Sequence, residues 1–92
     1  MTTIVRMETL MLLLHGDQEL LHHLRRVELL PSHDEGFSAE DAEIARVAGT
    51  LVHELEVNLS GVEVVLRMRY QLLATRRELA VAVRRLREQQ DK

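Results

Sequence analysis

The sequence predicts an all-α protein with a small helical head, residues 1–57, followed by one long C-terminal helix, residues 58–92. Two observations predict this class. From Asn58 onward the chain has one glycine and no proline, and it carries an apolar residue at every seventh position. Before Asn58, shorter leucine-rich and valine-rich stretches at helical spacing are separated by a tight turn and by a loop that begins at Pro31.

The first two helices are expected to be short and to lie on either side of a tight turn. Residues 9–14 form a leucine-rich helix, Gly16 suits the position just after a helix, and Asp17 is a good N-cap residue. The second helix runs from about Asp17 to about Arg26, with its apolar residues on one side. These residues are Leu20, Leu21, Leu24 and Val27. Two short helices joined in this way predict a helix-turn-helix unit.

A polar loop, residues 32–36, follows the proline and leads into a third helix. Ser38, with Asp41 three residues later, is a variant of the capping box that begins helices. The third helix is expected to run to about Glu54 and to bury a one-sided apolar stripe. The stripe consists of Ile44, Val47, Ala48, Leu51, Val52 and Leu55. Gly49 costs about 1 kcal/mol relative to alanine in a helix and is expected to allow a close backbone approach.

The C-terminal helix is expected to begin at Asn58 as its N-cap and to be about 45–50 Å long at ~1.5 Å per residue. Its apolar residues follow a heptad pattern typical of a coiled coil, and the rest of so small a chain cannot cover them. We therefore expect a homodimer, with antiparallel helices because Arg69 and Arg76 at a positions would face each other in a parallel pair. The residues assigned to the dimer interface are Val62, Val65, Leu66, Leu72, Leu73, Leu79 and Leu86.

Charge is unevenly distributed between the head and the long helix. Residues 1–60 hold four arginines against eleven acids, a balance of −7, whereas residues 61–92 hold eight bases against four acids, a balance of +4. An acidic head is poorly suited to DNA, which demands several Lys or Arg contacts to phosphate. It predicts instead a docking surface for a basic partner. The acids assigned to that surface are Asp34, Glu35, Glu40, Glu43, Glu54 and Glu56.

The composition also excludes several classes of protein. The chain has no cysteine, which excludes a disulfide framework, a thiolate zinc site and a Cys nucleophile, and is typical of a cytoplasmic protein. No apolar run has the length of a signal peptide or a membrane span. No Ser-His-Asp order, Gly-rich phosphate loop or paired-carboxylate pocket is visible, and adjacent His22 and His23 lack metal-ligand spacing. The sequence therefore predicts no catalytic residues, no metal site and no cofactor.

The order of the elements and one phrase resemble the MerR superfamily. Residues 55–63 read Leu-Glu-Val-Asn-Leu-Ser-Gly-Val-Glu and look like the phrase LGVNLAGVE of that superfamily, with Glu56 in place of the usual glycine. The resemblance covers about residues 9–88. It implies a degenerate winged helix-turn-helix head on an antiparallel coiled-coil arm. Two branches are similar: the HspR-like heat-shock repressors and the CbpM-type chaperone modulators, which bind the J domain of a DnaJ-like co-chaperone.

The residues that would read DNA separate these two branches. MerR-type repressors carry a phrase like Thr-Leu-Arg-Tyr-Tyr-Glu in the second helix, where residues 20–25 here read Leu-Leu-His-His-Leu-Arg. The loop that corresponds to the wing, residues 33–37, holds two carboxylates and no arginine, and carboxylates repel phosphate. The resemblance therefore implies a chaperone modulator that covers a J domain and limits its action on Hsp70. The alternative is a DNA-binding transcriptional regulator in which His22, Arg25 and Arg26 contact DNA.

Overall fold

The computed structural model describes residues 3–90 and is built from four helices. They are α1 (Met7–Leu13), α2 (Gln18–Arg26), α3 (Ala39–His53) and α4 (Leu59–Gln90). Within the described residues, the β contacts are limited to one antiparallel bridge between Val5 and Phe37. The predicted all-α class and the long C-terminal helix are confirmed. The first helix begins two residues earlier than the sequence predicted and ends one residue earlier.

Three helices begin at the capping residues that the sequence predicts. The carboxylate of Asp17 accepts a 3.0 Å hydrogen bond from the α2 backbone. Ser38 and Asp41 form a reciprocal capping box at the start of α3, with bonds of 3.0 and 2.9 Å. The side chain of Asn58 accepts a 2.7 Å bond from the α4 backbone. Each bond satisfies a backbone N–H that the helix itself leaves free, so these residues determine where the helices start.

The core lies between the three head helices and the first turns of α4. Leucines of α1 and α2 dominate it, and α3 contributes two alanines. The buried apolar residues are Leu10, Leu14, Leu20, Leu21, Leu24, Leu30, Phe37, Ala45, Ala48, Val62 and Leu66. Burial of one leucine contributes roughly 1.5–3 kcal/mol to stability. The head and the base of α4 therefore fold as one unit, because Val62 and Leu66 belong to the same core.

Helix α3 packs through its small residues, and the predicted stripe is only partly correct. Its buried residues are Ala45, Ala48 and Gly49, whereas most of the large residues of the stripe are half-buried. A Cβ atom on Gly49 would lie 2.2 Å from the carbonyl oxygen of Leu13. The backbone of α3 therefore lies directly against the end of α1, as the sequence predicted for this glycine.

The prediction that Leu55 belongs to the core is wrong. Helix α3 ends at His53, so Leu55 leaves the helical register and lies exposed. The next residue, Glu56, has a φ of 56°, and Glu28 after α2 has a φ of 63°. A left-handed backbone costs a non-glycine residue roughly 1–2 kcal/mol. Glycine adopts such a conformation at lower cost, so Glu56 holds this turn without the residue type that favours it.

The long helix extends well beyond the head. Over its 32 residues α4 is about 48 Å long at ~1.5 Å per residue. The radius of gyration is 16.6 Å, against about 12 Å for a compact chain of this length. From residue 75 to residue 90 every side chain is exposed. The distal half of α4, residues 75–90, is therefore an arm that the rest of the described chain does not cover.

Candidate protein-interaction surfaces

The acids predicted to form one docking surface lie at different places along α3. In chain order, Asp34 and Glu35 lie in the loop before α3, Glu40 and Glu43 lie within it, and Glu54 and Glu56 follow it. The 15 residues of α3 span about 22 Å. The acids are therefore divided between two ends of the head.

Three of these six carboxylates are paired with arginines of the same chain. Asp34 lies 2.6 Å from Arg25, and Glu40 lies 2.8 Å from Arg69 on α4. Glu43 accepts hydrogen bonds from Arg46, which lower the pKa of Glu43 below its usual value. The other three, Glu35, Glu54 and Glu56, form no ion pair within residues 3–90. The charge available to a partner is therefore smaller than the sequence count suggests.

Arg25 holds the loop that joins α2 to α3. Its guanidinium donates to the carbonyl oxygens of Pro31 and His33, at 3.0 and 3.1 Å, and to the carboxylate of Asp34. The Arg25 side chain is 18% exposed, whereas that of Asp34 is 70% exposed. Three hydrogen bonds of this guanidinium are thus directed to its own chain. No local pattern in the sequence predicts this clamp, because the partners of Arg25 lie six to nine residues further along the chain.

The remaining residues assigned to DNA, His22 and Arg26, lie exposed on α2. Arg26 lies 3.0 Å from Nδ1 of His23, which is itself buried. The second ring nitrogen of His23 has no hydrogen-bond partner within residues 3–90. His23 therefore belongs to the core, and the side chain of Arg26 lies against its ring.

A cluster that the sequence did not reveal joins the start of α2 to the end of α3. Asp17 uses one carboxylate oxygen as the α2 cap and the other to bind Nε2 of His53 at 2.9 Å. The ring of His53 stacks on that of His15, with centroids 4.8 Å apart. The hydrogen bond from the Leu20 backbone, followed by that from His53, lowers the pKa of Asp17. The two residues of the carboxylate–imidazole pair are 36 positions apart, so no local pattern could predict it.

The residues assigned to the dimer interface divide into two groups. Val62 and Leu66 are buried in the core of their own chain, and the structure corrects their assignment, since a partner helix cannot reach them. Leu73 is half-buried at the edge of the head. The exposed apolar stripe consists of Val65, Leu72, Leu79, Val83 and Leu86. Leu72, Leu79 and Leu86 are 58%, 62% and 58% exposed, which is unusual for three leucines on one helix.

A groove lies where α4 leaves the head, between the end of α2, the first half of α3 and α4. It consists of two adjoining cavities of about 400 and 380 Å³. The residues that line both cavities are Glu28, Leu29, Glu40, Ile44 and Tyr70, and we call this surface the head groove. Two charged groups at its edge are already paired, Glu40 with Arg69 and Arg67 with Glu63.

No protein-family model, no curated protein and no solved structure matches this chain. Within residues 3–90, no group of three or more His, Asp or Glu side chains is placed to hold a metal ion. None of the helices in that range is both long and apolar enough to cross a membrane.

Proposed function

We propose that this chain is a non-enzymatic chaperone modulator that acts as a cytoplasmic homodimer. It binds the J domain of a DnaJ-like co-chaperone and limits the action of that co-chaperone on Hsp70. The observation that carries the proposal is the uncovered arm, because a 16-residue helical projection with exposed leucines is suited to association. The sequence resemblance to CbpM-type modulators supplies the identity of the partner.

The arm accounts for the dimer in this proposal. The exposed leucines of α4, from Leu72 just before the arm to Leu86 within it, span about 21 Å along one side of the helix at ~1.5 Å per residue. Burial of such a stripe against a second copy removes apolar surface from water and adds the core that a small chain lacks. Antiparallel packing keeps Arg69 near Glu40 of its own chain, where it already lies.

The competing function, a MerR-like DNA-binding regulator, has less support from the geometry. A phosphate contact by Arg25 would require it to release two backbone carbonyls and the carboxylate of Asp34. Arg26 and Arg6 remain exposed on the head, and a specific DNA complex commonly uses about 6–10 phosphate contacts. The exposed, unpaired acids of the head would oppose such a contact.

The head accounts for partner binding in this proposal. A J domain presents a basic helix to Hsp70, and an acidic surface that covers this helix would block the encounter. Of the six carboxylates assigned to this surface, those free to do so are Glu54 and Glu56 at the α3–α4 junction and Glu35 on the loop. Complementary charge acts mainly on the association rate and on the choice of partner, so binding should weaken as salt rises.

The test is calorimetry of the chain with the J domain of a DnaJ-like protein from the same organism. The double variant Glu54→Lys, Glu56→Lys reverses the charge at the α3–α4 junction, and Glu35→Lys reverses the charge on the loop. Each exposed ion pair contributes about 0.2–1 kcal/mol to binding. Charge reversal at the end of the head that contacts the J domain should therefore raise the Kd for the J domain roughly tenfold. None of the three changes breaks an ion pair within the described residues.

The control is Glu78→Lys with Glu88→Lys, which reverses two exposed acids on the arm and leaves the head unchanged. It should bind the J domain as tightly as the parent chain does. Absence of binding by the parent chain would overturn the proposed function. If the J domain binds and neither charge reversal on the head weakens binding, the docking surface is not acidic. The contact would then lie on the exposed face of α2 around His22.

A further inference from the structure

Exposed apolar residues lie along α4 on both sides of the point where it leaves the head. Six of them fall within an arc of about 60° around the helix, since α4 turns by about 100° per residue. We call this surface the apolar face of α4. It consists of Val65, Met68, Leu72, Leu79, Val83 and Leu86, which are between 38% and 62% exposed. The remaining exposed large apolar residues of the described helix, Val64, Tyr70 and Val81, lie outside this arc.

The spacing of the apolar face is the same in both directions along the chain. From Val65 to Leu86 the intervals between successive members are 3, 4, 7, 4 and 3 residues. Each member therefore has a counterpart at the same distance from the point between Thr75 and Arg76. A twofold axis at that point would place the counterparts opposite each other in an antiparallel pair. The resulting pairs are Val65 with Leu86, Met68 with Val83, and Leu72 with Leu79.

The two members of each pair also lie on opposite sides of the midline of the face. Val65 and Val83 lie about 30° to one side of the midline. Leu86 and Met68, their counterparts, lie about 30° to the other side. The twofold axis keeps each side of the face on its own side of the pair, so the two side chains of a layer lie beside each other. They can then interdigitate as knobs and holes do in a coiled coil.

A different register would bury less of the apolar face. With the axis at Leu79, Met68 would lie opposite Gln90, and Val65 would have no counterpart on the described helix. The axis between residues 75 and 76 gives all six residues an apolar counterpart. At their observed exposure, the six leave on the order of 500 Å² per copy for burial, on the scale of the ~800 Å² per partner that a standard interface buries.

The centre of the face is polar. Thr75 and Arg76 are both exposed, and in this register Arg76 of each copy lies opposite Thr75 of the other. Arg76 lies about 50° from the midline, so its stem can pack at the edge of the face while its guanidinium reaches water. A polar residue in one layer of an otherwise apolar interface specifies the register at a cost in stability.

We infer that the apolar face of α4 binds the same face of a second copy in an antiparallel register whose twofold axis passes between Thr75 and Arg76. The inference rests on the dimer of the proposed function and goes further, because it fixes the register and adds Met68 to the interface. Each arm then extends along its partner's α4 as far as Gly61, which lies opposite Gln90. The two copies of Leu59 lie about 50 Å apart along the helix axis at ~1.5 Å per residue, so the heads are at opposite ends of the dimer.

The first test is disulfide cross-linking, which the absence of cysteine from the chain makes specific. A mixture of Leu72→Cys and Leu79→Cys chains should form a disulfide between the two variants under mild oxidation, because these positions lie opposite each other. Leu79→Cys alone should not cross-link, since its two copies lie about 10 Å apart along the axis and Cα atoms more than ~7 Å apart cannot be bridged. Non-reducing electrophoresis measures both results.

The second test is the dimer Kd from sedimentation equilibrium. Met68→Glu should raise the Kd about a hundredfold, because it places a charge in the interface twice. Tyr70→Glu is the matched control, since it places the same charge two residues away on the opposite side of α4, and it should leave the Kd within about twofold of the parent value. Cross-linking of Leu79→Cys alone, with an unchanged Kd in Met68→Glu, would overturn this register and leave the proposed dimer intact. A monomeric parent chain would refute both.

Discussion

The guanidinium of Arg25 lies 2.6 Å from the carboxylate of Asp34 and also donates to the carbonyl oxygens of Pro31 and His33. By sequence these two side chains are candidates for opposite functions, Arg25 for a contact to DNA and Asp34 for an acidic docking surface. In the structure they neutralise each other. The pair is therefore first a structural element that fixes the loop between α2 and α3, and neither charge is free for a partner.

We predict that removal of Arg25 costs more stability than removal of Asp34. Arg25→Ala loses three hydrogen bonds from a mostly buried side chain and should lower the free energy of unfolding by roughly 1–2 kcal/mol. Asp34→Ala removes one exposed partner and should cost roughly 0.2–1 kcal/mol. Urea denaturation measures both values, and hydrogen exchange should rise over residues 32–37 in Arg25→Ala alone. Equal losses in the two variants would show that the ion pair, not the backbone contact, fixes the loop.

Gly49→Ala should destabilise the head although alanine favours helices. The new Cβ would lie 2.2 Å from the carbonyl oxygen of Leu13, a backbone atom that moves only if α1 moves. Overpacking costs roughly 1–3 kcal/mol, against a gain of about 1 kcal/mol in helix propensity. Thermal denaturation should therefore show a lower Tm. Thr50→Ala, one residue further on, is the control and should be nearly neutral; a Tm for Gly49→Ala above that of the parent would contradict the close contact.

Glu56→Gly should stabilise the chain, because Glu56 has a φ of 56° and glycine adopts this conformation without steric cost. We expect a gain of about 0.5–1 kcal/mol in the free energy of unfolding. Glu54→Gly is a matched control two residues earlier, where φ is −109° and glycine brings only added freedom in the unfolded chain. That variant should lose stability in the same denaturation experiment. If the free energy of unfolding changes in the same direction in both variants, relief of backbone strain at Glu56 is not the cause.

The helices could be predicted from the sequence because their signals are local. Caps at Asp17, Ser38 and Asn58 lie within three residues of the backbone groups that they bind, and the heptad pattern of α4 needs no tertiary information. Leu55 was misassigned because the predicted stripe continued past the true end of α3, where the helical period no longer applies.

The surfaces could be predicted less well, because side-chain pairing is not local. Glu40 and Arg69 are 29 residues apart, and Asp17 and His53 are 36 apart. A count of charges treats such residues as free, whereas the fold brings them together. The heptad likewise could not separate Val62, which the head buries, from Leu72, which remains exposed, since both follow the same repeat.

The carboxylate of Asp17 should make stability depend on pH in the acid range. Its pKa in the folded chain is below the ordinary value of 3.8, chiefly because of the hydrogen bond from Leu20. The stabilisation is therefore complete above about pH 5 and is lost as pH falls through the folded pKa. Asp17→Asn keeps the cap but not the charge, so parent and variant should differ by roughly 0.3–1 kcal/mol near neutral pH and converge as pH falls below the folded pKa. In His53→Gln most of the pH dependence of stability should persist. Its loss in that variant would show that the imidazole of His53, not the hydrogen bond from Leu20, causes it.

Leu72→Glu should convert the proposed dimer to a folded monomer. Leu72 is 58% exposed in the single chain, so the substitution leaves the head core untouched, and helix content by circular dichroism should be retained. Burial of one leucine contributes roughly 1.5–3 kcal/mol, and twofold symmetry doubles it, so the dimer Kd should rise at least a hundredfold. Val81→Glu is the matched control, since it places the same charge on the opposite side of α4. Sedimentation should show a dimer for Val81→Glu and a monomer for Leu72→Glu. An unchanged dimer in Leu72→Glu would mean that copies of this chain associate through a surface other than the stripe.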